Sequence, residues 1–149
     1  MQFWTKSWGR MLGLAFLLAL AGACSRPPEA QRVREAIGAM QAAVEARDPK
    51  AFLEHVSADF TGNDGSVDRE GLHNVLRAAV LRNEKIGVTI GPIEVETKDE
   101  RATAGFTVTL TGSAGGMIPE RGAIYSVNSG WKREGGVWRC INAKWEQKL

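Results

Sequence analysis

Apolar residues recur along this chain with two periods, helical in the first half and alternating in the second. Val33, Ile37, Met40 and Val44 fall at i, i+4, i+7 and i+11, one stripe of a helix running from Glu29 to Arg47. Arg32, Glu35, Gln41 and Glu45 occupy its other side and are expected in solvent. The helix ends at Asp48-Pro49, because a residue before proline disfavours helical backbone angles. The same pair starts a short second helix, with Asp48 as cap and Pro49 in its first position, burying Phe52, Leu53 and Val56. Ser57 to Phe60 and the turn formers Thr61 to Gly65 read as connection and loop. Asp68 then caps a third helix reaching Arg82, with Leu72, Val75, Leu76, Ala79 and Val80 on its apolar side.

From Lys85 the period becomes two. Gly87 to Ile90 reads as a strand, Gly91-Pro92 breaks it, and Ile93 to Thr97 continues with apolar and acidic residues in alternation. After a charged turn at Lys98-Asp99-Glu100-Arg101, Ala102 to Gly112 forms a long strand. It carries Ala104, Phe106, Val108 and Leu110 on one face, and Thr103, Thr107, Thr109 and Thr111 on the other. A loop from Ser113 to Gly122 leads into a closing hairpin, Ala123–Lys132 and Val137–Glu146, turning at Gly135-Gly136. Pairing Arg133 with Gly136 would put Tyr125, Val127, Ser129, Trp131, Trp138, Cys140 and Asn142 on one mostly apolar face. Trp145 would then point outward with Arg139, Ile141 and Ala143, where it would suit a homodimer interface. The class is α+β: three N-terminal helices packed on a curled antiparallel sheet of roughly four strands.

The first residues follow a different logic. Lys6 and Arg10 precede an apolar run from Met11 to Ala23, too short to span a bilayer comfortably, which reads as a secretory signal peptide over 1–23. Leu20-Ala21-Gly22-Ala23-Cys24 resembles a bacterial lipobox, which implies lipidation of Cys24. Ala21-Gly22-Ala23 also fits an ordinary secretory cleavage site. Residues 24–28 form the lipidated end and a proline-stiffened tether, and the domain occupies 29–149. The resemblance to lipoproteins, with Ser25 rather than Asp after the cysteine, implies the periplasmic side of an outer membrane.

That segment also explains the charge. The chain holds 19 Lys and Arg against 17 Asp and Glu, and removing Lys6 and Arg10 leaves 17 against 17. No basic stripe remains to suggest nucleic acid. With Cys24 acylated, Cys140 has no disulfide partner and reads as a small buried hydrophobe. The two histidines, His55 and His73, lie apart and lack further ligands at metal spacing, so neither metal nor cofactor is expected.

Helix, Arg47-Asp48-Pro49, short helix, Ser57-Ala58-Asp59-Phe60, third helix, and a meander closing in Trp131-x-x-x-Gly135-Gly136-x-Trp138 form a familiar order. It resembles the nuclear transport factor 2-like superfamily over about residues 29 to 147, including its polyketide-cyclase-like and ketosteroid-isomerase-like branches. The resemblance implies a cone, a sheet curled around helices and enclosing a pocket. It leaves function open, because this fold hosts isomerases, dehydratases, cyclases, toxin partners and binding modules. It puts Asp59-Phe60 at the pocket mouth, and makes Asp59 a candidate base with Tyr125, His55 or His73 as partner. Asn142 stands where enzymatic relatives often carry His or Asp, which argues against acid–base catalysis.

The leading expectation is a membrane-anchored binding domain whose pocket takes a small apolar ligand or a partner peptide. Phe60, Tyr125, Ser129, Trp138 and Asn142 are its expected lining. The alternatives are an isomerase or dehydratase using Asp59 and Tyr125, and a structural envelope protein dimerising through its sheet.

Overall fold

The computed structural model describes residues 27–113 and 121–148. The signal segment, Cys24, the start of the tether and most of the Ser113–Gly122 loop lie outside the described residues. The elements run α1 (Glu29–Glu45), α2 (Pro49–Leu53), β1 (Val56–Gly62), β2 (Val67–Asp68), α3 (Arg69–Arg82), β3 (Lys85–Ile90), β4 (Glu94–Lys98), β5 (Arg101–Ser113), β6 (Arg121–Glu134) and β7 (Val137–Gln147).

Helix α1 buries the stripe its sequence shows. Val33 and Ile37 are 0% and 3% exposed, and Met40 packs beside them. Its polar side is less free than expected. Gln41 Nε2 donates to the Val88 carbonyl at 2.8 Å, and Glu45 Oε1 accepts from the Val88 amide at 3.1 Å. These two bonds join α1 to β3. Asp48 caps α2, its Oδ1 accepting from the Ala51 amide, and Pro49 fills the first position, where a missing N–H costs nothing.

The sheet has seven strands in the order β2-β1-β7-β6-β5-β3, with β4 pairing β5 beyond Gly91 and Pro92. Three strands go beyond the expected meander of roughly four: β4 is separate from β3, and β1 and β2 come from residues 56–68, read as the end of the short helix, a connection, a loop and a helix cap. Ser57 to Phe60 lies within β1, which runs parallel to β7 and makes the sheet mixed. Thr61 and Gly62 then pair with β2 across Asn63-Asp64-Gly65, all three at positive φ, as a tight reversal requires. The β5 alternation holds: Ala102 and Ala104 are buried, while Thr103 and Thr107 are exposed.

The closing hairpin turns at Gly135 (φ 57°) and Gly136 (φ 81°), both positive as the tightest hairpin turn needs. Its register differs from the expected one. Glu134 pairs with Val137, Arg133 with Trp138 and Trp131 with Cys140. Pairing then slips, and Gly130 faces Asn142, which leaves Ile141 as the extra residue of a β-bulge. One extra residue exchanges the two faces of a strand. Beyond the bulge, Ala143 and Trp145 therefore face the core, and Asn142 faces out. The sequence reading had these three reversed, because it ran one alternation through the whole strand.

Trp131, Trp138, Cys140, Val56 and Phe60 meet Val33, Ile37 and Leu53 in a single core between sheet and α1–α2. Helix α3 meets that core only at its edge, through the partly buried Leu72. None of its residues is buried. It is held by polar contacts: Arg69 Nη2 to the Leu53 carbonyl (3.0 Å), Arg47 Nη2 to the Val80 carbonyl (2.8 Å), and the Asp68 cap on the Gly71 amide (2.7 Å).

Two glycines test this packing from opposite sides. A Cβ on Gly62 would lie 2.7 Å from the Trp145 ring, whereas one on Gly38, inside α1, meets nothing within 4 Å. Gly62→Ala is expected to destabilise by about 1–3 kcal/mol through overpacking. Gly38→Ala is expected to stabilise by about 0.5–1 kcal/mol. Urea unfolding of both variants checks the pair.

Candidate functional site

The cone encloses a cavity of about 340 Å³ between the inner face of the sheet, the second half of α1, and α3. Ile37, Met40, Gln41 and Val44 of α1 form one wall. Leu72, Val75, Leu76 and Ala79 of α3 face them. Val88 and Ile90 of β3, Phe106, Val108 and Leu110 of β5, and Tyr125 and Val127 of β6 complete it. Val75 is 57% exposed, so the wall is open beside α3. The α3 stripe thus serves mainly as a cavity surface, with Leu72 also packed against the core.

No ionisable carboxylate, amine, guanidinium or imidazole lines this cavity among the described residues. Its polar groups are few, and several are already used. Ser129 Oγ donates to the Ala104 carbonyl (3.1 Å) and accepts from Trp131 Nε1 (2.9 Å), so this hydroxyl completes the core. Cys140 donates its thiol to the Asn142 carbonyl (3.3 Å), and burial pushes its pKa up to about 12, which leaves it inert as a nucleophile. The Tyr125 hydroxyl and the Trp145 indole N–H bond no other described residue.

Phe60, Tyr125 and Ser129 border the cavity, together with Trp145, which the sequence reading had turned outward. Trp138 is buried behind the wall, with its Nε1 donating to Glu29 Oε2 at 2.6 Å. Asn142 lies exposed on the outer sheet face, in an open hollow with Thr103, Asn128 and Lys144. Trp145 is consequently missing from the outer face, where it had been expected to offer a dimer patch.

The acid–base candidates are scattered. Asp59 is exposed on β1 and does not border the cavity, because the strand's alternation that buries Phe60 turns Asp59 outward. Tyr125 and Asp59 therefore share no space for a reacting atom. His55 lies outside the cavity, and burial holds its imidazole below the usual value, with Arg139 adding to the effect and Glu54 opposing it. His73 borders a separate surface recess with Asp68, Arg69 and Glu70. No group of His, Cys, Asp or Glu among the described residues is placed to hold a metal ion. No helix among them is long and apolar enough to cross a membrane.

A polar cluster closes the end opposite this cavity. Glu29, the first residue of α1, accepts from Trp138 Nε1, Arg32 Nη1 (3.0 Å) and Arg133 Nη1 (3.3 Å). Arg32 reaches on to the Gly136 carbonyl in the hairpin turn. The sequence hinted at this cluster only through an acid in the first turn of a helix, which suits the helix dipole.

No protein-family model matches the chain, and no curated protein sequence does. Solved structures do. A nuclear transport factor 2-like protein with a cystatin-like fold from Novosphingobium aromaticivorans aligns over 97% of this chain and 92% of its own, with 16% identity and a TM-score of 0.66. A Salmonella enterica protein of the same superfamily aligns over 80% and 90%, with 13% identity and a TM-score of 0.66. A candidate dehydratase of that family from Streptomyces avermitilis aligns over 81% and 96%, with 14% identity and a TM-score of 0.68.

The Trp138 hydrogen bond first, and then Arg32 and Arg133, lower the Glu29 pKa from its ordinary 4.5 against opposing desolvation. A carboxylate held lower when folded contributes stability above its unfolded pKa and loses it as pH falls through the folded value. Thermal midpoints are expected to fall as pH drops below 4.5, and to fall less steeply in Glu29→Gln. An identical slope in both proteins would mean that other carboxylates carry the acid sensitivity. In fold, this chain is a nuclear transport factor 2-like, cystatin-like α+β cone.

Proposed function

We propose that this chain is a lipid-anchored bacterial envelope protein whose cone binds a small apolar molecule without transforming it. The observation that carries the binding half is the cavity: about 340 Å³, walled almost wholly by aliphatic and aromatic side chains and open beside α3. Its volume falls within the roughly 300–1,000 Å³ range of small-molecule sites. Chemistry of the isomerase or dehydratase kind needs a base within reach of the substrate. Asp59 is exposed outside the cavity and Cys140 is held protonated, so the wall offers no such group. The fold relatives include a candidate dehydratase, but at 14% identity that likeness extends to architecture alone.

The anchoring half rests on the sequence: an apolar run ending in Leu20-Ala21-Gly22-Ala23, followed at once by Cys24. Several acyl chains at about 0.8 kcal/mol per buried methylene hold a protein at a membrane durably.

Phenylnaphthylamine, a neutral fluorophore that brightens in apolar surroundings, tests the binding half. Wild type is expected to enhance its emission saturably. Ala79→Trp, which adds a large ring to the cavity wall of an otherwise unburied helix, is expected to abolish the enhancement while leaving the circular dichroism spectrum unchanged. Equal enhancement by both proteins would put the dye elsewhere and sink the binding reading. Fractionation tests the anchor: Cys24→Ser should move the protein from the membrane pellet to the soluble fraction.

A further inference from the structure

We infer that the ligand is electrically neutral and carries a hydrogen-bond acceptor, such as a ketone, ester or quinone carbonyl, which the Tyr125 hydroxyl meets. This rests on the cavity being a binding site and goes on to name the chemistry it selects.

Charge sets the first limit. A carboxylate, phosphate or ammonium group drawn into this cavity would find no ionised partner on its wall. Leaving a charge unpaired in apolar surroundings is far costlier than leaving a polar group unpaired, so charged amphiphiles are selected against. Fatty acids and lipid phosphates belong to the disfavoured class.

The second step is polarity. The wall's hydrogen-bonding groups are mostly occupied internally: Ser129 by Ala104 and Trp131, Cys140 by Asn142, and the Gln41 amide nitrogen by Val88. Of the rest, Gln41 Oε1, an acceptor, lies on α1, while the Tyr125 hydroxyl and the Trp145 indole N–H, both able to donate, lie on the sheet. These two donors belong together. Val127 pairs with Trp145, and Tyr125 lies two residues from Val127 on the same face of β6. Tyr125 and Trp145 are thus diagonal neighbours across β6 and β7, about 7–8 Å apart at the backbone. An indole N–H can only donate, so this corner favours an acceptor over a second donor. A pure hydrocarbon would fill the cavity yet leave both donors without partners, which costs affinity.

Size gives the third limit. At interior packing density, about 0.74, the cavity holds roughly 250 Å³ of ligand. This suits a single medium-length chain or a small fused ring system better than a two-chain lipid.

The test compares three probes that share one chain length: 2-dodecanone, dodecane and dodecanoate. Each is titrated at neutral pH into the purified full chain, by displacement of phenylnaphthylamine. The ketone is expected to bind at least tenfold more tightly than dodecanoate and several-fold more tightly than dodecane. Tyr125→Phe keeps the ring and removes the hydroxyl. It is expected to weaken the ketone about fivefold and to leave dodecane unchanged. Dodecanoate binding as tightly as the ketone would overturn the inference while leaving the apolar site intact. So would a Tyr125→Phe variant that binds ketone like wild type. Failure of all three probes to displace the dye would overturn the binding reading together with the inference.

Discussion

A strand's side chains alternate between its two faces, and one added residue exchanges them. The bulge at Ile141 uses that constraint to divide β7 into two parts. Before it, Trp138 and Cys140 enter the core. After it, Ala143 and Trp145 do. Without the bulge, Asn142 and Lys144 would face the cavity and Trp145 would face water. An asparagine and a lysine in that wall would reverse its chemistry, from an apolar container to a polar one. The apolar character of the site therefore depends on a single backbone irregularity as much as on composition.

The bulge is matched from the neighbouring strand. Between Val56 and Thr61 of β1, five positions pass while β7 advances from Cys140 to Asn142. The extra length falls within residues 57–60 of β1, ahead of Asn63, whose Oδ1 accepts from the Trp145 amide. Gly62 leaves room for the Trp145 ring. Trp145 is thus held by Asn63 and Gly62, both more than 80 positions earlier in the chain. The pairing of β1 with β7 is parallel, which makes the sheet mixed.

What the sequence disclosed follows from the same contrast between local and distant causes. The α1 stripe, the Asp48-Pro49 junction, the β5 alternation and the Gly135-Gly136 turn all depend on residues within a few positions of one another, and all four could be read directly. So could Tyr125 and Ser129 as bordering residues, because they lie on one continuous alternation of β6, whereas Phe60 was placed at the pocket mouth by the family resemblance alone. Asn142 and Trp145 were assigned to each other's faces because nothing near Ile141 marks an extra residue. No glycine or proline stands there, and Arg139-Cys140-Ile141-Asn142 reads as ordinary strand. β1 was hidden for a related reason: its turn-rich end, Thr61 to Gly65, looks like a loop until a partner strand is supplied. Trp138, expected in the lining, lies buried behind it instead, its indole bonded to Glu29, 109 residues away.

The Glu29 cluster has a geometric consequence of its own. It fastens the first turn of α1 to the hairpin tip through Trp138, Arg133 and the Gly136 carbonyl. The cavity wall begins only at Ile37, some 12 Å further along the helix axis, and extends past Val44. Whatever leads into Glu29 thus joins the domain at the end of α1 that does not line the cavity. Under the proposed anchoring through Cys24, the cavity would sit at the end of α1 away from the bilayer, and a ligand would reach it through solution.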